Sequence, residues 1–186
     1  MITSTRSMAS LGSRRSGRSP MFSMITDLWR HRRPGPAGPF EEGVAAIEGG
    51  RYREAYHLLT RALHESASAG PPAAAIYNKR GVSLVHQGKH EEALSDFAAA
   101  LEADPACTAA IVNVGNLALE RGEFDTAMDQ YRAALRIDPE CALAHHNLGT
   151  AFRMLGRRSE SVHHLRAADK IRSRTWFVRL RDRPLR

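Results

Sequence analysis

Between residues 74 and 105 the apolar positions fall at helical spacing in two successive stretches. The first runs from Ala74 to about His86 and is broken by Gln87-Gly88-Lys89. The second runs from about Glu91 to Glu102 and is closed by Asp104-Pro105, since proline cannot continue a helix and disfavours helical geometry just before it. The pattern then returns. Gly81, Gly115 and Gly149 are 34 residues apart, as are Gly88, Gly122 and Gly156, and Ala100, Ala134 and Ala168. Ala93 and Ala127, Phe97 and Tyr131, and Pro105 and Pro139 keep the same step. An earlier copy with Gly43, Gly50, Ala55 and Ala62 lies 38 residues upstream of its equivalents, and the extra four residues fall in 66–72, whose Ser, Gly and Pro content predicts a lengthened turn.

The repeat predicts paired helices that approach closely. Helix axes come within ~8 Å only where the contact side chains are small, which gives the recurring glycine at the eighth position and the alanines at the twentieth and twenty-seventh a steric task. Composition agrees, with 6% aromatic residues and abundant alanine. The 42% hydrophobic and 25% charged content suits one globular domain or a short repeat array and excludes a collagen, a coiled-coil rod or a wholly disordered polymer. No apolar run reaches the ~18–20 residues of a membrane-spanning helix.

These units resemble the tetratricopeptide repeat family, whose 34-residue signature has an aromatic at position 4, Leu-Gly at 7 and 8, an aromatic at 11, Ala at 20, an aromatic at 24, Ala at 27 and Pro at 32. The unit from Ala74 supplies Tyr77, Gly81, Ala93, Phe97, Ala100 and Pro105. The next supplies Val114-Gly115, Ala127, Tyr131, Ala134 and Pro139, and the last supplies Leu148-Gly149, Phe152 and Ala168. The resemblance implies an all-α superhelix of helical hairpins, an α-solenoid, with four repeats at 36–73, 74–107, 108–141 and 142–175. It departs from the signature at Arg80, where Leu is usual and looser packing is expected, at Ser161 in place of Ala, and at Ser173 in place of the closing Pro. With no stop at Ser173, the last helix is expected to continue through Trp176, Phe177 and Leu180 to Pro184, its basic extension (176–186) serving as the C-terminal capping helix that such arrays need.

Charge is distributed unevenly. Residues 1–35 sum to +6, residues 36–169 to −5 and residues 170–186 to +6. The Ser- and Arg-rich residues 1–20 lack apolar periodicity and are expected to be disordered. Their composition is similar to that of a mitochondrial transit peptide; the alternative is a start assigned too early, with Met8, Met21 and Met24 available. Residues 21–33 place Phe22, Ile25 and Trp29 on one side of a short basic amphipathic stretch, suited to an anionic membrane surface or to packing on the first repeat.

The candidate chemistry is sparse. The pairs His145-His146 and His163-His164 point their members about 100° apart, so neither makes a metal site by itself, and a His146 with His164 site across helices falls short of the usual three or four ligands. Cys107 and Cys141 lie one repeat apart, beyond disulfide reach, and are expected to be free thiols in a reducing, cytoplasmic setting. No phosphate-binding glycine loop or nucleophile elbow is present, so neither catalysis nor a cofactor is expected.

The resemblance places a peptide-binding groove on the first helix of each unit. Its lining comprises Asn78, Lys79, Val82 and His86, then Val112, Asn113, Asn116 and Glu120, then His146, Asn147, Thr150 and Arg153. Asn113 and Asn147 share the sixth position and resemble the asparagine ladder with which some members hold a peptide backbone, an amide offering both donor and acceptor. The clamp for chaperone tails is missing, because Asn78, Val82, Asn113, Leu143 and Asn147 stand in its places and only Asn113 matches. The implied function is a non-catalytic adaptor or assembly factor that binds a protein or peptide partner. Docking of the basic termini on anionic lipid or nucleic acid, and end-to-end self-assembly, are the alternatives.

Overall fold

The computed structural model describes residues 37–65 and 73–181, with side chains as far as Trp176. The expected turn at 66–72, the readings of residues 1–33 and the stop at Pro184 lie outside the described residues. Eight helices follow one another: α1 (Pro39–Glu48), α2 (Tyr52–Glu65), α3 (Ala73–Val85), α4 (His90–Ala103), α5 (Thr108–Glu120), α6 (Phe124–Ile137), α7 (Ala142–Met154) and α8 (Arg158–Arg181). Among the described residues there is no strand, and the fold is an all-α solenoid of helical hairpins.

The breaks between helices have two recurring causes. Within each hairpin the chain reverses at Gly50, Gly88, Gly122 and Gly156, all at φ between +71° and +76°, where a side chain would be strained. Around each, the following N–H reaches back six residues inclusive, as from Lys89 to the Leu84 carbonyl and from Glu123 to that of Ala118, so the last orphan carbonyls of the helix are satisfied. Between hairpins, Asp104 and Asp138 leave the helix in extended geometry, and their Oδ1 atoms accept from Ala106 N and Glu140 N, each at 2.9 Å. The proline within each turn prevents resumption of the old helix.

Each helix packs on its hairpin partner, and each second helix packs on the first helix of the next hairpin. The first helices α1, α3, α5 and α7 also touch in succession, whereas no two second helices touch among the described residues. The first helices therefore form an inner layer and the second helices an outer one. More than half of the buried apolar side chains are alanines. The close contacts are direct: a Cβ on Gly81 would lie 2.6 Å from the Phe97 ring, and one on Gly115 would lie 2.7 Å from that of Tyr131. Ser161, which replaces alanine, is 4% exposed and fits the same slot.

Arg80 corrects the expectation of looser packing. Its guanidinium donates two bonds to Asp96, Nε to Oδ2 at 2.8 Å and Nη2 to Oδ1 at 2.6 Å, with side-chain exposures of 18% and 8%. It also reaches Thr60 at 3.4 Å and lies over the rings of Tyr56 and Tyr77 at 5.6 and 5.4 Å. A position that ordinarily takes leucine is thus filled by a charge whose partner is bidentate and whose stem and plane are packed.

The last helix runs on past Ser173, as the missing proline predicts, and reaches Arg181. Its extension is tied back to the array by an ion pair between Arg174 and Glu140. On the outer face of the terminal hairpin α8 exposes Arg158, Arg166 and Asp169 together with Val162.

Candidate functional site

The amides of the inner layer interlock from one hairpin to the next. Asn113 Nδ2 donates to Asn78 Oδ1 at 2.8 Å, and Asn147 Nδ2 donates to Asn116 Oδ1 at 2.6 Å. In both cases a sixth-position amide reaches back to the preceding first helix, but it finds its acceptor at different places. On α3 the acceptor is at the fifth position, because Val82 occupies the ninth; on α5 it is at the ninth, because Val112 occupies the fifth. Asn116 Oδ1 accepts a second bond, from the Tyr131 hydroxyl at 2.9 Å, which saturates its two lone pairs. Burial, followed by the nearby charge of Glu120, pushes the Tyr131 phenol up to about 12, so it is a fixed donor at neutral pH.

This wiring leaves a defined hydrogen-bonding surface. Asn113 and Asn147 each keep a carbonyl oxygen and a second N–H unpaired within the network, and Asn116 keeps its NH2. Those of Asn113 and Asn116 stand at a pocket of 220 Å³ lined also by Val82, Val85, His86, Phe97, Leu117 and Glu120. An adjoining cleft of 880 Å³ shares His86 and extends over Arg51, Tyr52, Arg53, Tyr56 and His57. The Tyr52 ring stacks on His86 with centroids 4.2 Å apart, and Gln87 Nε2 donates to the carbonyls of Tyr52 and Ser83 at 3.3 and 3.0 Å. An apolar floor, amide edges and one carboxylate at the rim can hold an extended backbone while leaving its side chains to be selected by the flanks.

The sequence-predicted residues fall in three groups. Asn113, Asn116 and Asn147 are half-buried at the ladder, Lys79 is half-buried nearby, and His86, Glu120 and Arg153 are exposed. Asn78 is 7% exposed and supports Asn113 from below. Val112 is fully buried in the core with Met128 and Leu148, so it backs the groove and presents nothing to it. That placement corrects its assignment to the lining. His146 is half-buried with its Nδ1 enclosed and without a partner, and the Thr150 hydroxyl is turned to the His146 carbonyl of its own helix at 3.0 Å. Tyr52 and Tyr131 also belong to the site but carry no separate signal in the sequence: Tyr131 occupies an ordinary aromatic position of the repeat, and Tyr52 sits in the least regular unit.

The histidines pair differently from expectation. His164 meets His145, Nδ1 to Nδ1 at 3.0 Å, and not His146. His145 Nε2 faces the Pro139 carbonyl at 3.1 Å and must donate to it, so a neutral His145 accepts at Nδ1 and His164 donates. Both rings cannot be doubly protonated in this geometry. Burial first, then the charges of His145, His163 and Arg132, holds the His164 pKa below its ordinary 6.5. No group of three or more metal-ligating side chains occurs among the described residues, and both cysteines are free.

The successive hairpins and their inner polar ladder define a helical-repeat interaction module. Tetratricopeptide repeat models match residues 40–106 and 115–156. The chain belongs to the tetratricopeptide repeat family. Among solved structures it is similar to MamA, with 19% identity, a TM-score of 0.59, and coverage of 74% of this chain and 78% of that one. A double-mutant form of MamA matches at 18% identity and TM-score 0.57, over 82% and 84% of the two chains. YrrB, described as a tetratricopeptide repeat protein with an unusual peptide-binding site, matches at 25% identity and TM-score 0.54, over 72% of this chain and 66% of its own. No helix among the described residues is long and apolar enough to cross a membrane.

Proposed function

We propose that the groove along α3, α5 and α7 binds an extended peptide segment of a partner protein, and that the chain acts as a non-catalytic cytoplasmic adaptor or assembly factor. The observation that carries this reading is the pre-oriented ladder, in which the half-buried Asn113 and Asn147 are held by amides of the preceding hairpin with part of their hydrogen-bonding capacity left unused by the network. Backbone recognition by fixed amides costs little ordering on binding. Lys79, Glu120 and Arg153 select charge along the segment, and the similarity to YrrB, a protein with a peptide-binding site, supports the same use here.

The variant that tests this is Asn147→Ala, because Asn116 keeps the Tyr131 hydroxyl as donor and the fold is spared. Peptides selected from a displayed random library on the wild-type protein provide the probe. Combined with Glu120→Lys, the change is expected to weaken the selected peptides about tenfold or more, a loss of ~1.4 kcal/mol or above, as read by fluorescence anisotropy. Undiminished binding by the double variant, abolished by high salt, would instead assign recognition to the basic termini.

A further inference from the structure

The two ends of the array expose positions that its internal junctions bury. At the tenth position of the first helix, Ser83, Leu117 and Ala151 are 0%, 1% and 0% exposed. Leu117 packs with Leu84, Ala93 and Phe97 of the hairpin before it, and Ala151 packs in one cluster with Ala127 and Met128. Ala45, at the same place in α1, is exposed. The other side of the junction behaves alike: at the twenty-first position Met128 is 3% exposed and Tyr56 and Leu94 are half-buried, whereas Val162 on α8 is 44% exposed.

The residues around these two positions are complementary in charge and shape. Val162 is flanked on its own helical face, four residues to either side, by the exposed Arg158 and Arg166. Ala45 has Glu41 and Glu42 one turn before it and Gly49 one turn after it, all exposed, and α1 contains no basic residue. The head of the array is thus small and acidic, and its tail presents an apolar knob between two cations. The Arg61 to Glu42 ion pair, at 3.2 Å with both partners about half exposed, holds Glu42 only weakly in place.

We propose that this chain associates head to tail with a second copy of itself, α1 of one copy docking on α8 of the next where the first helix of a following repeat would lie. Val162 then meets the Ala45 and Gly49 surface as Met128 meets α7, and Glu41 and Glu42 approach Arg158 and Arg166. The two surfaces are different, so the contact is heterologous and propagates instead of closing into a two-fold dimer. It is independent of the groove reading, since it uses neither the asparagine ladder nor its pocket.

Sedimentation velocity on the full chain, over a range of concentrations at low and high salt, tests the proposal. The sedimentation coefficient is expected to rise with concentration without a plateau and to rise less at high salt. Ala45→Asp breaks the head and Val162→Asp breaks the tail, each at an exposed site, with helicity by circular dichroism as the folding control. Each variant alone should be monomeric, and an equimolar mixture should form a one-to-one dimer and nothing larger, because one intact head and one intact tail remain. A wild-type chain that stays monomeric, association that survives in either variant, or a mixture of folded variants that fails to dimerise would each overturn it.

Discussion

The junction between the first two hairpins and the junction between the last two stand at the same place in the repeat and are built from opposite chemistry. At the seventh position of α3, Arg80 is clasped by Asp96 and lies between Tyr56 and Tyr77. At the seventh position of α7, Leu148 is 1% exposed in an apolar cluster with Met128, Tyr131 and Phe152. Both junctions keep the glycine one residue later, against Phe97 in one hairpin and against Leu165 in the other. Backbone spacing is therefore set by the small residue, and the neighbouring position accepts either a leucine or an arginine whose charge is paired.

The largest effect should come from breaking the charged junction. Asp96→Ala leaves a mostly buried guanidinium without its partner and is expected to cost ~3–5 kcal/mol in chemical denaturation. Adding Arg80→Leu should recover most of that loss, because it removes the unpaired charge and places leucine where the last junction has Leu148. A single variant with an unchanged midpoint would mean that Arg80 is served by solvent.

A smaller effect is expected at the shared glycine. Gly115→Ala brings a methyl to 2.7 Å from a Tyr131 ring that is fully buried and cannot retreat, and should destabilise by ~1–3 kcal/mol. Gly149→Ala meets the branched end of a half-buried Leu165 at 2.9 Å and should cost less, since that side chain can turn aside. Equal losses at the two sites would place the limit at the Ser161 carbonyl, 3.1 Å from the same point.

The smallest effect concerns Tyr131→Phe. At neutral pH it removes one of two donors to Asn116 and should cost ~0.5–1.5 kcal/mol. The difference from wild type lies in its alkaline behaviour. The folded chain holds the Tyr131 phenol neutral up to about 12, while in the unfolded chain it ionises near 10. The resulting stability is complete below pH 10 and is lost as pH rises from there through 12, so the Phe variant should lose stability less steeply in that window. Parallel pH profiles of the denaturation midpoint would show that Tyr131 is not the group responsible.

Much of this architecture was legible because its causes are local or periodic. The 34-residue step, the glycines at the hairpin turns and the alanines at close contacts follow from sterics that act identically in every unit. Half of the ladder was legible too, since Asn113 and Asn147 share a position. Their acceptors were not, because Asn78 and Asn116 sit at different positions and only the juxtaposed helices show which amide lies within 3 Å. The burial of Val112 was hidden for a related reason: the fifth position faces inward, with Asn78 and Val112 both buried and His146 half-buried, and only the packed neighbouring hairpin shows this.

The sequence by itself determined the helical hairpins, their number and order, and their family, because each depends on spacing along one chain. Tertiary structure decided the partners: Arg80 with Asp96, sixteen residues on; His145 with His164 in place of His146; and Tyr131 with Asn116. It also decided that Ala45 and Val162 remain open while their equivalents are buried or half-buried. The physical reason is that periodicity fixes where a backbone goes, whereas hydrogen bonds and buried charges are satisfied at about 3 Å, a tolerance that only the packed helices resolve.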